Sequence, residues 1–396
     1  MTGRSRRRLL CALGSAGVLA GLPGCLGLGD DPAEGSGSGS DGPDGLTGEW
    51  PAFAGDARNT GVVGASGPTT EPTIAWEFET AGTVYDGVAV ADGAAFVPST
   101  DGNLYAVEAD DGVERWRFPV RGQVRTTPAV AGETVFVGGD GGGLYALDVA
   151  TGAQRWTALT DAGVAPSHPV VADGTVYVGG DDGGLYAVDA ATGDREWRVE
   201  AGGGVVTGPA VADGTVYVGW QASAGAGPGA TETGGVDAVS VDGDREWRID
   251  PGAIRGPPTV VDGVVYAGTP TAAHAFDAAG GEELWRFEPA SNTGSPTVAD
   301  GLAFLGSLSS RFYAVDAATG EQAWEFTPGK WPNYAPAVAD GVLYLCSWAT
   351  RVYAVDAATG ERRWVRSLEN PLSDPVVADG TVYVAPENTL VALREE

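Results

Sequence analysis

The stretch LYAVDAATGDREW, Leu185–Trp197, returns almost unchanged as FYAVDAATGEQAW at Phe312–Trp324 and VYAVDAATGERRW at Val352–Trp364. Its last residue belongs to a register of eight tryptophans: Trp76, Trp116, Trp156, Trp197, Trp247, Trp285, Trp324 and Trp364. Their spacings are 40, 40, 41, 50, 38, 39 and 40 residues. A period near 40 suits propeller blades and some helical solenoids. The local pattern decides between them. In PAVADGTVYVGW, from Pro209, valine and tyrosine alternate with small or polar residues between glycines, which is strand patterning. One unit reads as four short strands: an inner strand ending near PAVADG, a TVYVG strand, a GLYAVD strand and a REWRVE strand carrying the tryptophan. Asp-Gly joins the first pair and GGDDGG the second, both hairpin signals. Ala-Thr-Gly turns the chain into the tryptophan strand.

A lone four-stranded blade cannot cover both its faces. Packed radially, each blade covers its neighbour, and the ring leaves no long free edge. The recurring indole is placed to pack between blades. The two ends of the chain predict how the ring closes. The last unit, from Asp374 to Glu396, has three strands and no tryptophan strand, whereas Trp76 has a strand and no blade before it. Pairing the Trp76 strand with the C-terminal blade gives seven intact blades and one shared between the ends, eight in all. The fourth blade carries the 50-residue spacing, and its extra segment ASAGAGPGATETGG, Ala222–Gly235, reads as a flexible surface loop.

The motif A-x-D-x-x-T-G-x-x-x-W is complete at Ala146–Trp156, Ala187–Trp197, Ala314–Trp324 and Ala354–Trp364. It is degenerate at Ala106–Trp116, where Glu108 and Asp111 replace Asp and Thr, and at Ala275–Trp285, where Gly280 replaces Thr. The copy at Ala238–Trp247 is one residue short. This motif resembles the tryptophan-docking repeat of the pyrroloquinoline quinone (PQQ) propellers. WPAFAGDARNTG, Trp50–Gly61, is similar to the lead-in such proteins carry before the first blade. The resemblance covers residues 49–396. It implies an all-β, eight-bladed propeller, with the tryptophans as structural docking residues. That family divides into quinoprotein dehydrogenases, which hold PQQ and calcium at the channel mouth, and BamB-like lipoproteins, which are cofactor-free scaffolds. The tryptophan motif serves both, so fold alone does not choose between them.

The net charge of −30 comes from 53 acidic against 23 basic residues, and Lys330 is the only lysine. This composition resembles proteins of salt-loving archaea, whose self-repulsion is screened in concentrated salt. It argues against a nucleic-acid partner, which needs a basic footprint. Residues 1–25 read as an export signal. Arg6 and Arg7 before an apolar run resemble the twin-arginine signal, and LPGC, Leu22–Cys25, resembles a lipobox with Cys25 as the lipidated residue. Residues 26–48 are rich in Gly, Ser and Asp and read as a disordered tether. Once these segments are set apart, Cys346 is the one cysteine left, placed in an apolar strand as a core residue.

The chemistry-bearing candidates lie where the inner strands begin. Asp86, Arg125, His168, Arg255, Tyr334 and Asp374 form a candidate channel ligand site. Arg125, His168 and Arg255 read either as a small anion site at the channel mouth or as hydrogen-bonding groups that fill a wet channel. Asp86 and Asp374 belong to blades that adjoin on closure. Two aspartates fall short of the six to eight oxygen ligands that calcium needs. With two histidines in the chain, His168 and His274, a histidine-rich metal centre is excluded. No cofactor is expected, with PQQ and calcium as the alternative. Outside the register and the lead-in, Trp220, Trp331 and Trp348 would be contact anchors if exposed and core if buried. The expectation is a monomeric ring held by a lipid anchor on the extracellular face of the cell membrane. There it would bind other proteins or surface polymers, with a quinoprotein dehydrogenase as the alternative.

Overall fold

The computed structural model describes residues 49–159, 167–202, 204–224, 231–289, 294–330, 335–368 and 373–395. The signal and tether segments, with Arg6, Arg7 and Cys25, lie outside them, as do Trp331 and Tyr334.

Eight sheets of four antiparallel strands form the ring, two of them carrying a fifth strand. Blade 1 comprises Ala89–Ala91, Ala94–Pro98, Asn103–Glu108 and Glu114–Pro119. Blades 2 to 7 follow at 129–159, 170–200, 205–249, 259–287, 297–326 and 337–367. Blade 8 consists of the C-terminal strands Val376–Ala378, Thr381–Val384 and Thr389–Arg394, with Thr73–Glu79 as its outermost member. Trp76 pairs with Ala392, so the ends of the ring are joined within one sheet, as the sequence predicts.

The hairpin between the first two strands turns through Asp-Gly in seven blades. At Asp92–Gly93, φ is 50° and 67°. Two left-handed residues in a row suit a two-residue turn that follows the strand twist, which explains why Asp then Gly recurs there. At the third turn of blades 1 to 7 a left-handed glycine lies against the indole of the preceding blade. A Cβ on Gly320 would stand 2.8 Å from Cδ2 of Trp285.

The tryptophans bind the ring together by the same rule seven times. Each indole N–H donates to a backbone carbonyl in the next blade: Trp76 to Ala109, Trp116 to Val149 and Trp156 to Ala190, each at 2.9 Å. The series continues through Trp324 to Ala357 at 3.1 Å. Blade 8 has no such turn, because its outer strand comes from the other end of the chain. There Trp364 donates to Pro68 O, just before that strand. A register shift sits beside the tryptophan in every outer strand, a bulge that bends the strand where the indole leaves it.

The fourth blade departs from expectation. Its second and third strands run on to Thr215–Ala224 and Thr231–Ser240, ten residues each, and pair as far as Ala224 with Thr231. The insertion is therefore largely an extended hairpin, with residues 225–230 outside the described part. Its Ala, Ser, Thr and Gly residues carry no apolar alternation, so the pairing is a backbone event with little side-chain signature.

Trp220 lies at the base of this hairpin and is buried, so it is core and not a contact anchor. The cause is Asp237, fully buried, which accepts from Trp220 Nε1 at 3.2 Å and from Arg245 and Arg248 at 3.0 and 2.5 Å. Asp237 occupies the position of Tyr145, Tyr186, Tyr313 and Tyr353 in other blades, one residue before the alanine opposite the tryptophan. His274 holds it in blade 5 and is bonded to Glu283 at 2.7 Å and to Thr269 at 3.3 Å. Each replacement of the tyrosine by a more polar residue brings its own partners, as burial requires.

Candidate functional site

The inner strands surround the central channel, and the residue before each inner strand's proline faces it. Around the ring this waist position is filled by Thr127, His168, Gly208, Pro257, Ser295, Ala335 and Asp374, with Gly87 before Val88 in blade 1. Neighbours touch: Thr127 Oγ1 donates to Gly87 O at 3.1 Å, and Thr127 N–H donates to His168 Nδ1 at 3.1 Å. Segments entering the inner strands share one face of the ring with the second turn of each blade. That face is called the entry face here, and the Asp-Gly turns lie on the opposite, turn face.

The lead-in fills the channel. Trp50 bridges to Val90 of blade 1, and the chain then passes around the inner edges to Val62–Val63, which pair in parallel with Val338 and Ala339 of blade 7. On the way its carbonyls accept from inner-strand N–H groups: Pro51 O from Val130, Ala57 O from Val211, Arg58 O from Val260, Thr60 O from Val298 and Gly61 O from Val338. Asn59 is buried and its Nδ2 donates to Pro209 O and Pro258 O. A single 3-10 turn, Phe53–Gly55, rises to the waist. Phe53 stacks on His168 with ring centroids 4.2 Å apart, and Phe53, Ala54 and Ala335 form one apolar cluster. The sequence marks this segment as a lead-in but not as a plug.

His168 is therefore no anion ligand at a mouth. Burial pushes its pKa down to about 3, so the imidazole is neutral, with Nδ1 accepting from Thr127. Arg125 and Arg255 are exposed and held within the entry face. Arg125 lies over the Tyr85 ring at 5.7 Å, bonds Gln123 and pairs with Asp140 at 3.4 Å. Arg255 pairs with Glu232 of the extended hairpin at 2.7 Å. Asp86 and Asp374 do come together across the closing seam. Both are half-buried, yet protein around Asp86 and the neighbouring Asp374 carboxylate push its pKa up to about 8. Asp374 Oδ1 accepts from Ala335 N–H at 3.3 Å. The structure thus gathers His168, Asp86 and Asp374 at the waist and leaves Arg125 and Arg255 at the rim. Cys346 is buried.

These residues do not fit PQQ with calcium. Among the described residues no three His, Cys, Asp or Glu side chains converge on a metal-sized space. The two aspartates that meet, Asp86 and Asp374, are joined by no third carboxylate, histidine or cysteine among the described residues, short of the six to eight oxygens that calcium takes. The rim arginines are already paired.

Besides Tyr85, which lies under Arg125, two large apolar side chains stand out on the entry face. Trp348 is 51% and Leu308 37% exposed, at the same place in the second turns of blades 7 and 6. The segment bearing Lys330 runs beside the first of these turns, with Ser347 Oγ and Tyr353 Oη both donating to Pro328 O. Leu308 was not singled out from the sequence. Comparison of SLSSR with SWATR in adjacent repeats would have found it.

Comparisons with known proteins agree on the architecture. A quinohemoprotein alcohol dehydrogenase from Comamonas testosteroni is 16% identical, with a TM-score of 0.73 over 87% of this chain and 80% of its own. A second from Pseudomonas putida HK5 is 15% identical, with a TM-score of 0.70 over 88% and 80%. The computationally designed protein Ika8 is 15% identical, with a TM-score of 0.70 over 81% and 99%. At these identities the likeness is one of fold. No curated protein matches the chain. One family model matches residues 59–167, 158–227, 232–333 and 309–396, nearly the whole ring. The chain belongs to the family described as outer membrane protein assembly factor BamB.

Proposed function

We propose that this propeller is a non-catalytic interaction scaffold, exported and lipid-anchored through Cys25 on the outer face of the membrane. One observation carries the scaffold reading. The channel, at whose mouth a cofactor propeller would keep its chemistry, is closed at its waist by the chain's own Phe53 on His168. Exposed apolar side chains instead crown the entry face. Trp348 beside Lys330 is a contact anchor of the kind that dominates protein interfaces. The family's description supports protein partners. Its assembly role at an outer membrane is not carried over, since the acidic composition resembles that of archaeal proteins.

The anchor is tested by placing a photo-crosslinking phenylalanine analogue at Trp348 and, separately, at Asp340 on the turn face. Defined polypeptide adducts at Trp348 and none at Asp340 are expected. Equal labelling from both positions, or none from either, would refute an entry-face anchor.

A further inference from the structure

The lead-in covers inner-strand edges in order but omits one. The N–H groups of Val90, Val130, Val211, Val260, Val298 and Val338 point into the channel and are accepted by lead-in carbonyls at 2.7–3.1 Å. Val171 of blade 3 is their equivalent, opposite Val176 as Val130 is opposite Val135. Its N–H finds no acceptor among the described residues, because the turn at Phe53–Gly55 lifts the chain away towards His168. In blade 8, Val377 is fully buried in a cluster with Val63 and Ala65, so no accessible edge remains there. Below the lifted turn lies a cavity of about 680 Å³ on the turn face, within the size range of ligand clefts.

Its chemistry is specific. Ala57, Val171, Ala172 and Ala212 line it with small apolar groups. The exposed carboxylates of Asp173, Asp213 and Asp262 stand around it. The cation in its lining, Arg58, leans on Asp56 at 3.9 Å. An unpaired strand edge calls for extended backbone, and the carboxylates call for positive charge. The chain supplies its own precedent at blade 7, where Val62–Val63 add to the inner edge in parallel.

We propose that this cavity binds an extended basic segment of a partner protein, which pairs its backbone with the edge at Val171 and sets its cationic side chains among Asp173, Asp213 and Asp262. The site lies on the face opposite Trp348, so it stands or falls independently of the entry-face anchor.

The test uses the full chain with 15N-labelled valine and three probes: the capped hexapeptide Lys-Thr-Lys-Val-Lys-Thr, the same peptide with Glu for Lys, and spermidine. Saturable binding of the basic peptide is expected, with a shift of the Val171 amide and no response to the acidic peptide. Asn is at home in a left-handed turn position, so Asp173→Asn with Asp213→Asn keeps the fold. This pair should weaken basic-peptide binding at least fivefold. Val171→Pro, which removes the channel-facing N–H without removing a bond to the neighbouring strand, should weaken it further. If that variant does not fold, the Val171 amide shift decides. Absence of saturable binding would overturn the proposal. So would binding that leaves the Val171 amide unmoved, or spermidine matching the peptide in affinity, since either reduces the site to a cation-collecting rim.

Discussion

Trp364 Nε1 donates to Pro68 O at 2.8 Å, across 296 positions of chain. Seven other tryptophans reach a blade that follows in sequence, and this one reaches back to the segment that leads into the seam. The same contact that stacks blades therefore also closes the ring, and Trp364 should matter as much as any interior member of the series. Trp364→Ala and Trp324→Ala are each expected to cost about 3–5 kcal/mol. Trp364→Phe, which retains most of the packing and loses the N–H, should cost less. Denaturant unfolding in molar KCl measures all three.

Gly320 and Gly301 share a left-handed backbone, with φ of 72° and 77°, and differ in what a side chain would meet. A Cβ at Gly320 would enter the face of Trp285, whereas nothing lies within 4 Å of one at Gly301. Gly301→Ala should cost about 1 kcal/mol through backbone strain alone. Gly320→Ala should add about 1–3 kcal/mol for overpacking. Equal costs would show that the indole moves aside freely.

Asp237 is a buried carboxylate held by two arginines and an indole. The arginines keep about a third of their side-chain surface, 36% and 31%, so they can turn to water if the carboxylate is lost. Asp237→Ala is expected near the lower end for breaking a buried pair, about 3 kcal/mol. The unfolding midpoint of the variant checks it, and Trp220 fluorescence should become more exposed in the same experiment.

Two groups at the channel waist give opposite pH dependence. Asp86 is raised to about 8, so the folded state holds a proton that the unfolded chain has released. That contribution is present below about pH 4 and lost as pH rises towards 8. His168 is lowered to about 3, so the unfolded chain binds a proton that the folded state refuses. Its contribution is present above about pH 6.5 and lost as pH falls towards 3. Asp86→Asn should flatten the fall in stability as pH rises from about 4 to 8, and His168→Gln the fall as pH drops from about 6.5 to 3. Unfolding curves from pH 3 to 9 distinguish the two, and an unchanged slope in either variant would contradict the corresponding assignment.

The ring, its eight blades and its closure were legible because they are written in side chains. A tryptophan about every 40 residues, an Asp-Gly at the first hairpin of seven blades and a missing fourth strand at one end leave one solution. The lead-in's path was not legible, because Pro51, Ala57, Arg58, Thr60 and Gly61 act there through their carbonyls, which every residue has. The extended hairpin was hidden for the same reason. Of the candidate site, the meeting of Asp86 with Asp374 followed from the closure. The neutral state of His168 did not, since it depends on Phe53 arriving from 115 positions away. The polar substitutions at the Tyr186 position, Asp237 and His274, were visible in the repeat alignment. They were the available sign that blades 4 and 5 carry buried polar clusters.

The most direct measurement is a calorimetric titration of the purified protein with PQQ in the presence of calcium and molar KCl, with tryptophan fluorescence followed in parallel. With Phe53 seated on His168 and no third ligating side chain joining Asp86 and Asp374 among the described residues, no saturable heat and no quenching are expected. Saturable binding at micromolar concentration or tighter would contradict the scaffold reading and return the channel to the chemistry of the quinoprotein dehydrogenases.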